Sequence, residues 1–421
     1  MKKITAAMLA LALCLALAAC ANPAAHIGEA DTPEPLQAEI ETGTDKIQLT
    51  LATTNLSSDL QNLVDNFNQT NDEYEIIIFD FTEDFRDGDT SIASQNSEIL
   101  GEKAPDIYAF DISTEFMNTD STERSSLYEN LLPYLDADPE YDRDTLLPGI
   151  MNALTQDGKL YTLPYDFSIT TFSAPRSIVG DVESLTMEKA LAFAAEIGED
   201  TLVFPEWLVK REMFIYVLSY VTNMYVDPHA GVSDFNNPDF IELLEACNRQ
   251  HDKPPTRSFP HGDELLSLQW FFGVDSFRHF LSNIDGDYTY VGIPSNLGTS
   301  GIFRCNIQLQ MSSQSEHKDA VWSFLRTALR TKNIGTLQNF HTTQEGLRTQ
   351  LKELIHPDYQ EDIDKLTELI NRTEIVESSV DYALREIILD QADIFFAGEC
   401  TAEEAAERIQ NAATNYLNNH K

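Results

Sequence analysis

The sequence predicts an α/β protein of two domains, each a mostly parallel sheet flanked by helices. Three observations predict it. The folded part opens as strand, helix, strand within residues 47–80, and the same alternation restarts beyond residue 180. Between them lies an extended aromatic stretch, Tyr161 to Thr171, which reads as the crossing from one domain to the other. Residues 45–421 are enough chain to bury two cores of ordinary size.

The first element is KIQLTLATTN, where Ile47, Leu49 and Leu51 alternate with Gln48 and Thr50 at the two-residue period of a strand. Ser57 and Ser58 offer a cap for the next element, in which Leu60, Leu63, Val64 and Phe67 form one helical stripe. EIIIFDF is apolar and rich in β-branched residues, the pattern of a strand buried on both faces. A βαβ unit of this kind implies parallel pairing. DIYAFD is the third strand. Further on, TMEKALAFAAEIG reads as a helix, DTLVFPEW as a strand, LVKREMFIYVLSYV as a helix and DELLSLQWFF as a later strand. A helix with Phe277, Phe280 and Leu281 follows, then YVGIP. The last third is helical, with one stripe over Val321 to Leu329 and another over Ala406 to Leu417, the latter opened by a capping box of Thr401 and Glu404.

The N-terminus is a secretory signal in form: Lys2 and Lys3, an apolar run from Ala6, and small residues ahead of Cys20. That run is shorter than the roughly 20 residues a membrane span prefers. Leu17-Ala18-Ala19-Cys20 resembles the lipobox of bacterial lipoproteins. It implies removal of residues 1–19, lipidation of Cys20 and a flexible Pro- and Glu-rich tether over 20–44. Cys14 leaves with the signal, and Cys247, Cys305 and Cys400 form no disulfide framework.

The chain carries 28 basic and 69 acidic residues, a net charge of −41. Such a surface repels phosphate backbones and anionic headgroups, which excludes nucleic acid and direct membrane adsorption as partners. Acidity spread over the whole length reads as solubility. No H-E-x-x-H, G-x-S-x-G or Walker loop occurs, and the nine histidines show no metal-ligand spacing, so neither a catalytic motif, a metal nor a cofactor is expected. DADPEYDRD at 136–144 lacks the Gly and Glu of a calcium loop and reads as a solvated turn.

A binding constellation remains. Ligands of open α/β sheets lie beyond the carboxyl ends of the strands. The residues there are Thr53, Thr54 and Asn55 after the first strand, Asp111 after the third, and Glu206 with Trp207 after TLVF; Tyr165 and Asp166 lie in the crossing, and Trp270 ends a later strand. Aromatic faces beside carboxylates suit a polyhydroxylated ligand, rings covering C–H faces while charged acceptors bond hydroxyls.

GEKAPDIYAFD (101–111), LLPGIMNALTQDGKLYTLPYDFS (146–168), YVGIPSNLG (290–298), EHKDAVWSFLRTAL (316–329) and AGECTAEEAAERIQ (397–410) together resemble the family 1 extracellular solute-binding proteins, the receptors of ABC importers that include maltose-binding protein. The resemblance implies the two-lobed periplasmic-binding-protein fold with a hinge crossed more than once. By it, residues 45–167 and 288–332 form the first lobe, and 168–287 and 333–421 the second. Asn55, Tyr165 and Trp207 match positions that contact ligand in similar proteins. Where sugar-binding relatives place an aromatic at the start of a late helix, this chain reads Val380-Asp381-Tyr382.

The resulting expectation is a monomeric, lipid-anchored receptor on the outer face of the bacterial cytoplasmic membrane. It captures a small solute, a carbohydrate or oligosaccharide, by hinge closure and delivers it to ABC permease subunits. Trp207 and Trp270 stack on the ligand while Asn55, Asp111 and Asp166 fix its polar groups. The alternatives are a secreted glycan hydrolase and a receptor for a cationic solute or peptide.

Overall fold

The structure is a computed structural model that describes residues 46–81, 104–110, 126–227, 230–253, 264–284, 286–296, 298–305, 307–329, 339–375 and 382–419. The expectations for the signal over 1–19, Cys20, the tether over 20–44 and Asp111 lie outside the described residues. The strands that matter are β1 (Ile47–Thr53), β2 (Tyr74–Asp80), β3 (Ile107–Phe110), β4 (Leu163–Pro164) and β5 (Ser168–Pro175). They are followed by β6 (Ser267–Phe271), β7 (Tyr288–Gly292), β8 (Ile302–Arg304) and β9 (Gln308–Met311). The main helices are α1 (Ser58–Thr70), α2 (Met187–Ile197), α3 (Lys210–Tyr225), α4 (Pro238–Asn248) and α5 (Val274–Asn283). Then come α6 (Lys318–Leu325), α7 (Gln344–Leu354), α8 (Gln360–Arg372), α9 (Tyr382–Phe396) and α10 (Ala402–Asn419).

The first sheet runs in the order β2-β1-β3-β9-β4. β1 pairs parallel with β2 and with β3, so the βαβ unit forms as the sequence implies. Ser57 caps α1, its hydroxyl accepting the Leu60 N–H at 3.1 Å, and the helix lays Leu60, Leu63, Val64 and Phe67 into the core. β9 closes the sheet antiparallel to β3 and β4. Asp106 locks the entry to β3: its carboxylate accepts the Thr50 N–H and hydroxyl and the Ser315 hydroxyl. One expectation is corrected. EIIIFDF is not buried on both faces, because β2 is an edge strand and only Ile76 within it is buried. β-branched residues mark a strand, but the preference depends on packing and does not say whether the strand lies inside the sheet or at its edge.

The second sheet runs β6-β5-β7, with β8 also paired to β5, and each of these pairs is antiparallel. This departs from the mostly parallel sheet expected there. The strand expected at DTLVFPEW is reduced to a parallel bridge between Leu202 and Glu264, with the N–H groups of Leu265 and Leu266 bonding the Leu202 and Val203 carbonyls. Pro205, which has no N–H to donate, ends the ladder there.

Lys46–Lys421 forms one compact unit in which β5 is a wall between two cores. Seven of its eight residues are buried. Ile169, with Phe271 and Phe303 paired opposite it, faces the core that includes β1, α1 and helices α5 to α8. Phe172 and Ala174 face the second core, shared with α2, α3, α4, α9 and α10. Alternation of successive side chains lets one strand serve both. Residues 288–304, which the resemblance assigns to the first lobe, supply β7 and β8 of the second sheet. The Thr401–Glu404 capping box forms as expected, with reciprocal bonds at 3.0 and 3.2 Å. Cys247, Cys305 and Cys400 are free thiols. Burial pushes Cys305 up to about 12 and Cys247 well above its ordinary value, so both behave as small apolar residues.

The acidic run over 136–144 is only partly the solvated turn expected. Asp136 is exposed and pairs with Arg143. Asp138, by contrast, has a side chain only 1% exposed. Its carboxylate accepts the Glu140 and Tyr141 N–H groups, the Trp322 indole N–H at 2.9 Å and Arg326 at 2.9 Å, tying this loop to α6. Burial raises the Asp138 carboxyl, but these backbone, indole and guanidinium donors outweigh it and hold the group below the ordinary range. Its contribution to stability is therefore complete above the unfolded carboxylate value of about 3.9 and lost as pH falls through the lower folded value. Asp138→Ala is expected to lower unfolding stability by about 3 kcal/mol at neutral pH, because the largely buried Arg326 keeps only the exposed Glu140 at 3.4 Å and the Trp322 indole N–H loses its acceptor. Chemical denaturation measures this, and the gap from wild type should shrink on acidification below about pH 4.

Candidate ligand-binding site

At the carboxyl end of β1 the Thr53 hydroxyl donates to the Ala109 carbonyl at 2.7 Å and accepts the Asn55 N–H at 3.2 Å. This turn buries Thr54, leaves Asn55 exposed and delivers the chain to the N-terminus of α1. β3 runs parallel to β1, so its carboxyl end at Phe110 lies at the same edge. Tyr165 joins this edge from the crossing, its N–H donating to the Ile307 carbonyl at 3.0 Å. Its phenol is pushed up by burial and then by the charges of Asp59, in the first turn of α1, and of Asp166. Asp166 is itself buried and accepts the Asn339 amide at 2.5 Å. Neither Asp59 nor Asn339 was singled out from sequence. Asp59 is one of many first-turn acids, and Asn339 is 173 positions from its partner, with no motif linking them.

A second group gathers around the end of β6. Trp270 sits opposite Thr170 of β5, and the Trp207 ring lies 6.0 Å from it at 56°. Trp207 remains 37% exposed, so its indole is available to a ligand. Tyr216 meets Trp270 edge-on at 5.3 Å, and its hydroxyl bonds that of Tyr220 at 2.7 Å. Tyr216 and Tyr220 stand one turn apart on α3, so the helix stacks them on one face. That spacing within FIYVLSYV was the available signal, and sequence reasoning passed over it. Glu206 is positioned through its backbone, its N–H donating to Glu264 Oε2 at 2.8 Å; Glu264 Oε1 accepts the Ser267 hydroxyl at 3.2 Å. Glu264 is thus a brace that holds the Trp207 loop against β6.

The structure brings Thr54, Asn55, Tyr165 and Asp166 to one sheet edge, and Glu206, Trp207 and Trp270 to another. β5 connects them. Asp166 precedes the strand by two residues and Trp270 is paired with its third residue, so chain geometry limits the backbone separation of Asp166 and Trp270 to about 20 Å. Among the described residues no cluster of His, Cys, Asp and Glu suits a metal ion, and no helix is long and apolar enough to cross a membrane.

No protein-family model matches the chain, and no curated protein matches it in sequence. Solved structures do match in fold. The sugar-binding protein MalE from Xanthomonas citri is similar at 14% identity and a TM-score of 0.60, covering 89% of this chain and 98% of that one. An ABC substrate-binding protein from Listeria monocytogenes, solved in complex with cycloalternan, is similar at 16% identity and a TM-score of 0.52, covering 89% of this chain and 100% of that one. A family 1 extracellular solute-binding protein from Alicyclobacillus acidocaldarius is similar at 12% identity and 0.53, covering 88% and 98%. The fold is therefore the two-lobed α/β architecture of solute-binding proteins.

Asn339→Ala removes a donor from a buried carboxylate. It is expected to cost about 1.5–3 kcal/mol of stability, read from the denaturant midpoint.

Proposed function

We propose that this chain is the solute-binding receptor of an ABC import system and that it captures a carbohydrate or oligosaccharide between its two lobes. One observation supports the ligand class above the others: the Trp207–Trp270 pair, backed by Tyr216 and Tyr220, presents aromatic rings that are partly open to solvent in a chain that buries most of its large apolar side chains. Such rings cover the C–H faces of a sugar. Asn55 and Asp166 supply polar partners from the edge at the end of β1, Asp111 is assigned the same role from its sequence position, and Thr54, Tyr165 and Glu206 shape the walls. Similar folds are named for MalE, a sugar-binding protein, and for a substrate-binding protein holding cycloalternan, which agrees with this class.

The protein acts by binding and not by catalysis. Asp166 and Glu264 spend carboxylate oxygens on Asn339, the Glu206 N–H and Ser267. Carboxylates used as braces in this way are poorly placed to act as an acid and base pair. Closure of the lobes on the ligand follows from contacts made on both sides at once, since a ligand shifts an equilibrium only by its differential affinity for the two states. The lobes divide at the crossing before β5, again between β8 and β9, where the chain returns to the first sheet, and again between α8 and α9, whose buried residues belong to different cores. The mature chain begins at Cys20, whose lipid holds a monomer to the outer face of the cytoplasmic membrane beside its permease.

Thermal melting with maltooligosaccharides, xylooligosaccharides and sugar alcohols tests the reading. One class should raise the melting temperature in step with RT ln(1 + [L]/Kd). Trp207→Ala and Trp270→Ala should each weaken that ligand by about tenfold or more without unfolding the protein. Wild-type affinity in both variants would place the ligand elsewhere. Fractionation of cells expressing Cys20→Ser checks the anchor: the variant should move from membrane to soluble fraction, and retention at the wild-type level would exclude lipid attachment.

A further inference from the structure

A cavity of about 450 Å³ opens where α8 faces β7, Arg176 of the short helix Arg176–Val179 and the loop that follows it. No residue of the aromatic group or of the β1 edge lines it. Its walls contain three cations, Arg176, Lys365 and Arg372, beside five acids. Two of the three are already matched. Arg176 pairs with Asp181 and with Asp287, and Lys365 pairs with Asp287 and Glu361 while lying 4.7 Å over the Tyr288 ring.

Arg372, the last residue of α8, is not matched. Its Nη2 donates to the Tyr290 carbonyl at 3.2 Å, its buried Nε has no hydrogen-bond partner, and among the described residues it forms no ion pair. A half-buried guanidinium left this way is costly, and the group that fits its planar fork is a carboxylate. Burial lowers its pKa, while the charges of Glu368, one turn earlier on α8, and of Glu183 pull the other way. Glu368 and Glu183 are exposed, lie in the cavity wall and form no ion pair among the described residues. The cavity thus holds one cation and three carboxylates, Glu183, Asp364 and Glu368, that form no ion pair among the described residues, Asp364 accepting the Gln360 amide at 2.8 Å. Val182, Tyr288 and Tyr290 add apolar surface between them.

From this arrangement we infer that the cavity is a second ligand site, separate from the sugar site, for a small zwitterion of the α-amino acid class. The ligand carboxylate lies on Arg372, the ammonium against Glu368 and Glu183, and a compact apolar side chain along Val182 and the tyrosines. A plain anion is disfavoured by the two acids and a plain amine by the guanidinium, so the pattern selects molecules that carry both charges.

Calorimetric titration of the full folded chain with L-leucine tests it, with 4-methylpentanoate and 3-methylbutylamine as the same skeleton lacking one charge each. Leucine should bind saturably, and each control should bind at least about tenfold more weakly. Arg372→Gln should abolish leucine binding. Because Arg372 also bonds the Tyr290 carbonyl, its melting curve is recorded alongside, and the exposed Glu368→Gln serves as the second variant: it should weaken leucine and narrow the gap to 4-methylpentanoate. Trp207→Ala should leave leucine binding unchanged, which separates this site from the sugar site. Absence of saturable leucine binding, equal binding of 4-methylpentanoate, or wild-type affinity in folded Arg372→Gln or Glu368→Gln would overturn the assignment.

Discussion

Strand β5 is buried on both faces, and much of the architecture follows from that constraint. A strand packed on one side can face water on the other, and its polar alternation then costs nothing. SITTFSAP has no such freedom: Ile169 enters one core while Phe172 and Ala174 enter the other. The polar residues between them are satisfied locally, as with Thr171, whose hydroxyl donates to the Ser300 carbonyl at 2.9 Å. A one-residue slip of this strand would exchange the two sets and spoil both cores together. The wall therefore fixes the register of β6, β7 and β8 at once.

The same strand positions the candidate site. It begins two residues after Asp166 and carries Thr170 opposite Trp270, so the polar edge of the first sheet and the aromatic group on α3 and β6 are fastened to one rigid element. Loops bearing ligand groups gain accuracy when such an element holds them. Short side-chain bonds finish the work, Asn339 on Asp166 and Glu264 on the backbone of Glu206.

Several buried or half-buried carboxylates in this acidic chain are held by specific donors. Asp106, Asp138 and Asp166 each lie against hydroxyl, amide, indole or guanidinium groups, and each ties a loop to a distant element. Asp239 accepts the Tyr225 hydroxyl at 2.9 Å and the Asn296 N–H at 3.0 Å, joining α4 to the loop after β7. Charges without such partners are left at the surface, where solvation is cheap. Arg372 breaks this pattern, its Nε buried without a hydrogen-bond partner.

Sequence alone determined what depends on neighbours along the chain. The period of Ile47, Leu49 and Leu51, the stripe and Ser57 cap of α1, the capping box at Thr401 and the parallel βαβ unit all appear where local pattern placed them, because periodicity and capping act within a few residues. It also identified Trp207 and Trp270 as residues of interest, though not that they meet. Tertiary structure decided the rest. Whether EIIIFDF lies inside a sheet or at its edge, whether TLVFPEW pairs, and whether Asp138 is solvated or sealed under Trp322 depend on which remote segment arrives. The Asp166–Asn339 and Asp138–Arg326 contacts each span more than 170 positions. No periodicity encodes such a pairing, because it is chosen by packing of the whole chain and not by the residues on either side.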